Sequence, residues 1–148
     1  MKKPDRLSKR ATAARVFRIH PDPLRPFVVE VRLARNRRHM REEMLRIDGH
    51  REGVDTQGLV RHWFSKIDRD RFAIRPRGIV ARMYLNTKDL RDRPSEIVAH
   101  ECTHAGMAWA RLAKANLRNM SGEEVLCHAV GQMVKQVNYH LYAFGVFP

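Results

Sequence analysis

With 148 residues the chain is long enough for one domain that buries roughly 70% of its unfolded surface, and its two cysteines exclude a disulfide-stapled secreted scaffold. Nowhere do eighteen apolar residues run together, and no apolar stretch of signal-peptide length follows the basic start MKKPDRLSKR; a cytoplasmic protein without a membrane partner is expected. The net charge of +13 is uneven, with +10 carried by residues 1–41 and +3 by the remainder. Such a basic front attracts nucleic acid through phosphate contacts that weaken with salt, whereas the alternative is a solvated tail or face.

Residues 1–20 read as a basic, flexible N-terminal segment, and the prolines of HPDPLRP place a boundary before a single domain over 21–148. FVVEVRLA alternates as a strand, with Val29, Val31 and Leu33 on one face and Val28, Glu30 and Arg32 on the other. NRRHMREEMLRI follows as a helix in which Met40, Met44 and Ile47 recur at helical spacing. DGHREGVDTQG is loop-like, and LVRHWFSKI leaves helix and strand both open. In FAIRPRGIVARMYLN, Ile79, Ala81, Met83 and Leu85 alternate with Val80, Arg82 and Tyr84 as an edge strand. Asp92 as cap and Pro94 in the first turn then start a helix reaching to about residue 118, and an apolar set from Val125 to Val137 marks another over 121–143.

The stretch EIVAHECTHAGMAW lies in the first of these two helices. Four residues make about one turn, so His100 and His104 project from one face and can hold a cation between their imidazoles. Neutral imidazole nitrogen suits zinc. Glu101 lies about 100° round the helix, beside the metal instead of on it, where it can take a proton from water that zinc has made more acidic. With eight His and eight Glu, the five-residue pattern arises by chance on the order of once in forty such chains. Its place on a helix directly after a strand is what a metallopeptidase needs.

A catalytic zinc takes three protein ligands and keeps a fourth position open. Glu124, twenty residues after His104, is the first candidate for the third ligand, although Ser121 and Glu124 also read as a capping box. Glu123 lies nearer the apolar stripe, and His128 could ligate or orient a ligand. Cys102, between the ligands, reads as a small packed residue.

HECTH followed by Glu124 at this spacing resembles the gluzincin zinc peptidases, and also small phage-encoded proteins with an HExxH helix and a following EE helix. The resemblance covers residues 79–137. It implies zinc on His100, His104 and Glu124, Glu101 as general base, and an extended peptide held by β-addition along Ile79, Val80, Ala81, Arg82, Met83 and Tyr84. Larger gluzincins add a His or Tyr for the oxyanion, for which Tyr84, His128, Tyr139 and His140 are only candidates here. Met107 and Ala110 stand where a metzincin needs Gly and His, and no upstream Cys offers a deformylase-like ligand. A Spartan-type, DNA-associated protease would use a third His, which keeps His128 and the basic front in view.

The expected fold is α+β: a small zincin-like domain whose short mixed or antiparallel sheet packs on the HExxH helix and on a ligand-bearing helix after it. The expected function is zinc-dependent peptide hydrolysis with one Zn²⁺. The alternatives are a nucleic-acid- or host-protein-binding module using KKPDRLSKR and RLARNRRHMR, or a zincin fold kept for interaction without chemistry.

Overall fold

The computed structural model describes residues 14–49, 58–62, 64–66, 72–74 and 78–147. Strands β1 (Arg15–Ile19) and β2 (Val28–Ala34) precede α1 (Arg37–Asp48); β3 (Gly58–His62), β4 (Phe64–Lys66), β5 (Phe72–Ile74) and β6 (Ile79–Asn86) follow. Three helices end the chain: α2 (Thr87–Asp92), α3 (Pro94–Leu112) and α4 (Met120–Ala143). The main sheet has the order β1-β2-β6-β3, with β2 and β6 parallel and the two outer strands antiparallel to them. This is an α+β chain with a small mixed sheet; β4 and β5 pair separately. Among the described residues no helix is long and apolar enough to cross a membrane.

The two-residue period of the strands divides the sheet into unlike faces. Val29, Val31, Leu33, Ala81, Met83 and Leu85 join Ile97, Val98, Cys102, Ala105, Trp109 and Met133 in the main core beneath α3 and α4. The opposite face carries Glu30, Arg32, Arg82 and Tyr84 against α1, where Met40 and Met44 add a smaller apolar cluster with Tyr84. Glu30 faces Arg82 across the parallel pair, and Arg32 faces Tyr84. The chain end packs back as its composition suggested, since Leu141 and Val146 enter the core while Phe144 and Phe147 cover it.

Four sequence expectations are corrected. β6 is not an edge strand, because β2 and β3 pair with its two sides and all eight of its residues are buried. The basic N-terminal segment does not extend to residue 20: Phe17 and Ile19 of β1 are core residues, and the Pro21–Pro26 stretch is only the turn to β2. Residues 1–13 lie outside the described residues. α3 starts at Pro94 without a side-chain cap, Asp92 being the last residue of α2, and it stops at Leu112. Asn119 caps α4 by accepting from the Gly122 N–H, so Ser121 and Glu124 do not form the capping box their spacing suggests.

Candidate metal centre

α3 can run unbroken through HECTH because strong helix formers, Ala99, Ala105, Met107, Ala108 and Ala110 among them, flank the motif and Pro94 occupies the tolerated first position. His100 and His104 lie on its exposed side with their Nε2 atoms 3.1 Å apart. Two nitrogens each about 2.05 Å from a tetrahedral zinc stand about 3.3 Å from one another, so the pair already has the spacing of a two-point chelate. The same separation permits one ring to donate an N–H to the other, a proton that a bound cation would replace. This donor set fits a borderline metal such as zinc.

Glu101 turns inward. It is 4% exposed, and burial pushes its carboxyl up to about 7 from an ordinary 4.5. Gly58, the first residue of β3, makes room for it: a Cβ there would come within 2.8 Å of both Cγ and Oε1 of Glu101. β3 therefore fixes the carboxylate from one side while α3 carries the histidines on another. Gly58→Ala is expected to displace Glu101 without touching the imidazoles, so metal binding should persist and hydrolytic turnover should fall by at least about tenfold. Equal turnover by the alanine variant, at matched metal loading, would show that β3 does not position this group. Sequence reasoning missed Gly58 by placing it in a loop, although a lone glycine beside an alternating run signals close backbone approach.

Cys102 is a core residue whose thiol burial, and secondarily Glu101, push up to about 12, in keeping with a packed side chain.

The downstream candidates fall elsewhere. A Cβ on Gly106 would sit 2.6 Å from Val130 Cγ2 and 3.0 Å from Leu126 Cδ1, so this glycine marks the line where α4 crosses α3. On α3, Gly106 lies about 140° round from the mean direction of His100 and His104, which places α4 away from the histidine face. On α4, His128 is about 200° round from both Leu126 and Val130 and points away from α3, while Glu123 shares the stripe of Val130. Glu123, Glu124 and His128 are all exposed. Among the described residues no third His, Cys, Asp or Glu completes a metal-holding group with the pair, so the structure does not bring Glu124, Glu123 or His128 to it.

The proposed strand for substrate also moves. Both hydrogen-bonding sides of β6 are occupied, so Ile79, Val80, Ala81, Arg82, Met83 and Tyr84 cannot receive a peptide by β-addition; Tyr84 is fully buried and Arg82 is 5% exposed. Among the described strands of this sheet, the one beside α3 with an unpaired side is β3. Tyr139 is exposed, and His140 stacks on Phe17 with ring centroids 4.3 Å apart.

Much of RLARNRRHMR is neutralised by the fold itself. Arg32 binds Glu30 at 2.9 Å and Glu43 at 3.3 Å, Arg37 binds Asp89 at 2.7 Å, and Arg38 binds Glu42 at 3.1 Å. KKPDRLSKR lies outside the described residues. Compared with protein-family models, curated proteins and solved structures, the chain has no match.

Proposed function

We propose that the chain is a zinc-dependent hydrolase of zincin type, acting on a peptide bond, with its centre at His100, His104 and Glu101. The observation that carries this reading is the juxtaposition on α3 of two exposed imidazoles at chelating distance and a buried carboxylate poised near neutrality. His100 and His104 would hold the ion. When bound, zinc supplies a Lewis acid for the carbonyl and makes water a better acid near neutral pH. Glu101 would accept the proton of the attacking water and return it to the leaving nitrogen, a role suited to a carboxyl whose pKa lies close to the working pH. β3 is the edge on which an extended substrate would pair its backbone.

In this reading the third coordination position is not supplied by α4. Metal content per chain after dialysis against a weak chelator tests the assignment. His100→Ala and His104→Ala are expected to lose zinc, whereas Glu124→Ala, Glu123→Ala and His128→Ala should retain it. Loss in Glu124→Ala would restore the gluzincin ligand set and require α4 to pack differently; retention in both histidine variants would remove the metal site altogether.

The competing reading, a nucleic-acid- or host-protein-binding module with structural zinc or none, rests on the net charge of +13. Carboxylate pairing of Arg32, Arg37 and Arg38 narrows the surface available for it.

A further inference from the structure

Beyond the carboxyl ends of the parallel strands β2 and β6 lies a cavity of about 240 Å³, sharing no residue with the histidine pair. Open α/β layers commonly bind ligands at this end of parallel strands. Here Leu33 and Ala34 finish β2, Thr87 follows β6, and the turn after α4 supplies Phe144 as an apolar wall. Arg15, Arg35 and Arg91 line the cavity from three separate elements of the chain, and among the described residues no carboxylate does.

Two observations separate this group from an ordinary solvated cluster of arginines. The guanidinium groups of Arg35 and Arg91 have no carboxylate partner among the described residues, in contrast to Arg32, Arg37, Arg38, Arg46 and Arg82. His39 lines the same cavity although its residue is only 5% exposed. Its Nδ1 accepts the Arg35 N–H at 3.2 Å, which fixes the neutral ring as the tautomer carrying its proton on Nε2. No protein acceptor takes that Nε2–H among the described residues, and the His39 side chain is part of the cavity lining. Thr87 Oγ1 donates to the Arg35 carbonyl at 3.0 Å and holds the segment in place, while Asn36 caps α1 and the first turn of that helix contains no acid. Its dipole therefore adds to, and does not oppose, a negative ligand nearby.

We infer that this cavity is a binding site for a phosphoryl oxyanion, held between the Arg35 and Arg91 guanidinium groups with the His39 Nε2–H as a directional donor. Arg15 is already engaged, since its Nη1 donates to the Phe144 carbonyl at 3.3 Å and its guanidinium covers the Phe144 ring at 4.8 Å; it contributes charge at the rim. Arginine forks and an imidazole N–H match the geometry of phosphate oxygens. The same chemistry serves a free phosphate or a phosphodiester of single-stranded nucleic acid. The inference does not rest on the zinc reading.

The test uses the full chain in chelator-containing buffer, titrated with inorganic phosphate by NMR and with a labelled dodecathymidylate strand by fluorescence anisotropy. Phosphate is expected to move the His39 ring signals in a saturable way, and the exposed double substitution Arg35→Gln/Arg91→Gln should weaken its binding by at least about tenfold while leaving the circular dichroism unchanged. Oligonucleotide binding that phosphate displaces and the double variant loses identifies the phosphodiester as the source; phosphate binding without oligonucleotide binding identifies the free ion. No saturable effect of either probe on His39 overturns the site. So does oligonucleotide binding that the double variant retains, because it would then lie elsewhere on this basic chain.

Discussion

Glutamine in place of Glu101 should leave zinc bound and lower the hydrolytic rate by about 10²–10⁴-fold, the usual worth of a positioned general base. The same substitution should stabilise the metal-free protein above neutral pH. In the folded state burial raises the Glu101 carboxyl to about 7, against 4.5 as its ordinary value. Between those two values the folded form keeps a proton that the unfolded form has lost, so stability falls as pH rises through that window. The contribution is fully present below about 4.5 and gone above about 7; it is worth about 3 kcal/mol, taking about 1.36 kcal/mol per pH step. Glutamine has no proton to lose and about the same volume. Urea denaturation in chelator at pH 5 and pH 8 should therefore show a steeper loss for wild type than for Glu101→Gln, and equal losses would mean that the carboxyl is not desolvated. Full turnover by the glutamine variant at saturating zinc would place the base elsewhere.

Much of this arrangement could be read from residue order, and the failures have physical causes. The alternation in FVVEVRLA and IVARMYLN correctly divided the sheet into an apolar face and a face carrying Glu30, Arg32, Arg82 and Tyr84. The Pro and Gly ahead of IVARMYLN suggested an edge strand, and nothing in the local pattern showed that the Arg82 charge could be buried. Here the charge is matched internally by Glu30 and Asp48, which lie 52 and 34 residues away in sequence. Such matching is invisible to a local pattern. β1 escaped notice for a similar reason: Arg15 and Arg18 flank Phe17 and made a five-residue strand resemble the tail before it. Spacing alone placed His100, Glu101 and His104 correctly on one helix, since that depends only on helical repeat. Spacing could not place Glu124, because its position relative to the histidines depends on which face of α3 receives α4, and Gly106 decides that by admitting Leu126 and Val130.

Removing Arg82 should be the most damaging single change to the fold. Its Nε donates to Glu30 at 2.8 Å and its Nη1 to Asp48 at 2.6 Å, with all three side chains less than 10% exposed. Asp48 also accepts from the Tyr84 hydroxyl and closes α1, where the helix dipole disfavours a carboxylate. Arg82→Met keeps much of the volume but leaves the buried Asp48 with only the Tyr84 hydroxyl and Glu30 with only Arg32, which is expected to cost about 3–5 kcal/mol in urea denaturation. Burial on its own would raise the Glu30 carboxyl, yet the charges and hydrogen bonds of Arg32 and Arg82 outweigh it and hold the group below its ordinary range. A depressed carboxylate contributes stability above its unfolded pKa and loses it as pH falls through the folded one, so wild type should weaken on acidification below about 4.5. Arg82→Met should lose part of that acid dependence. Adding Glu30→Gln and Asp48→Asn should then recover stability relative to Arg82→Met alone, because neutral amides cost less to bury than unpaired charges. A loss under about 1 kcal/mol for Arg82→Met, or further destabilisation by the two amides, would mean that water reaches this face of the sheet and that the ion pairs are not what joins α1 to it.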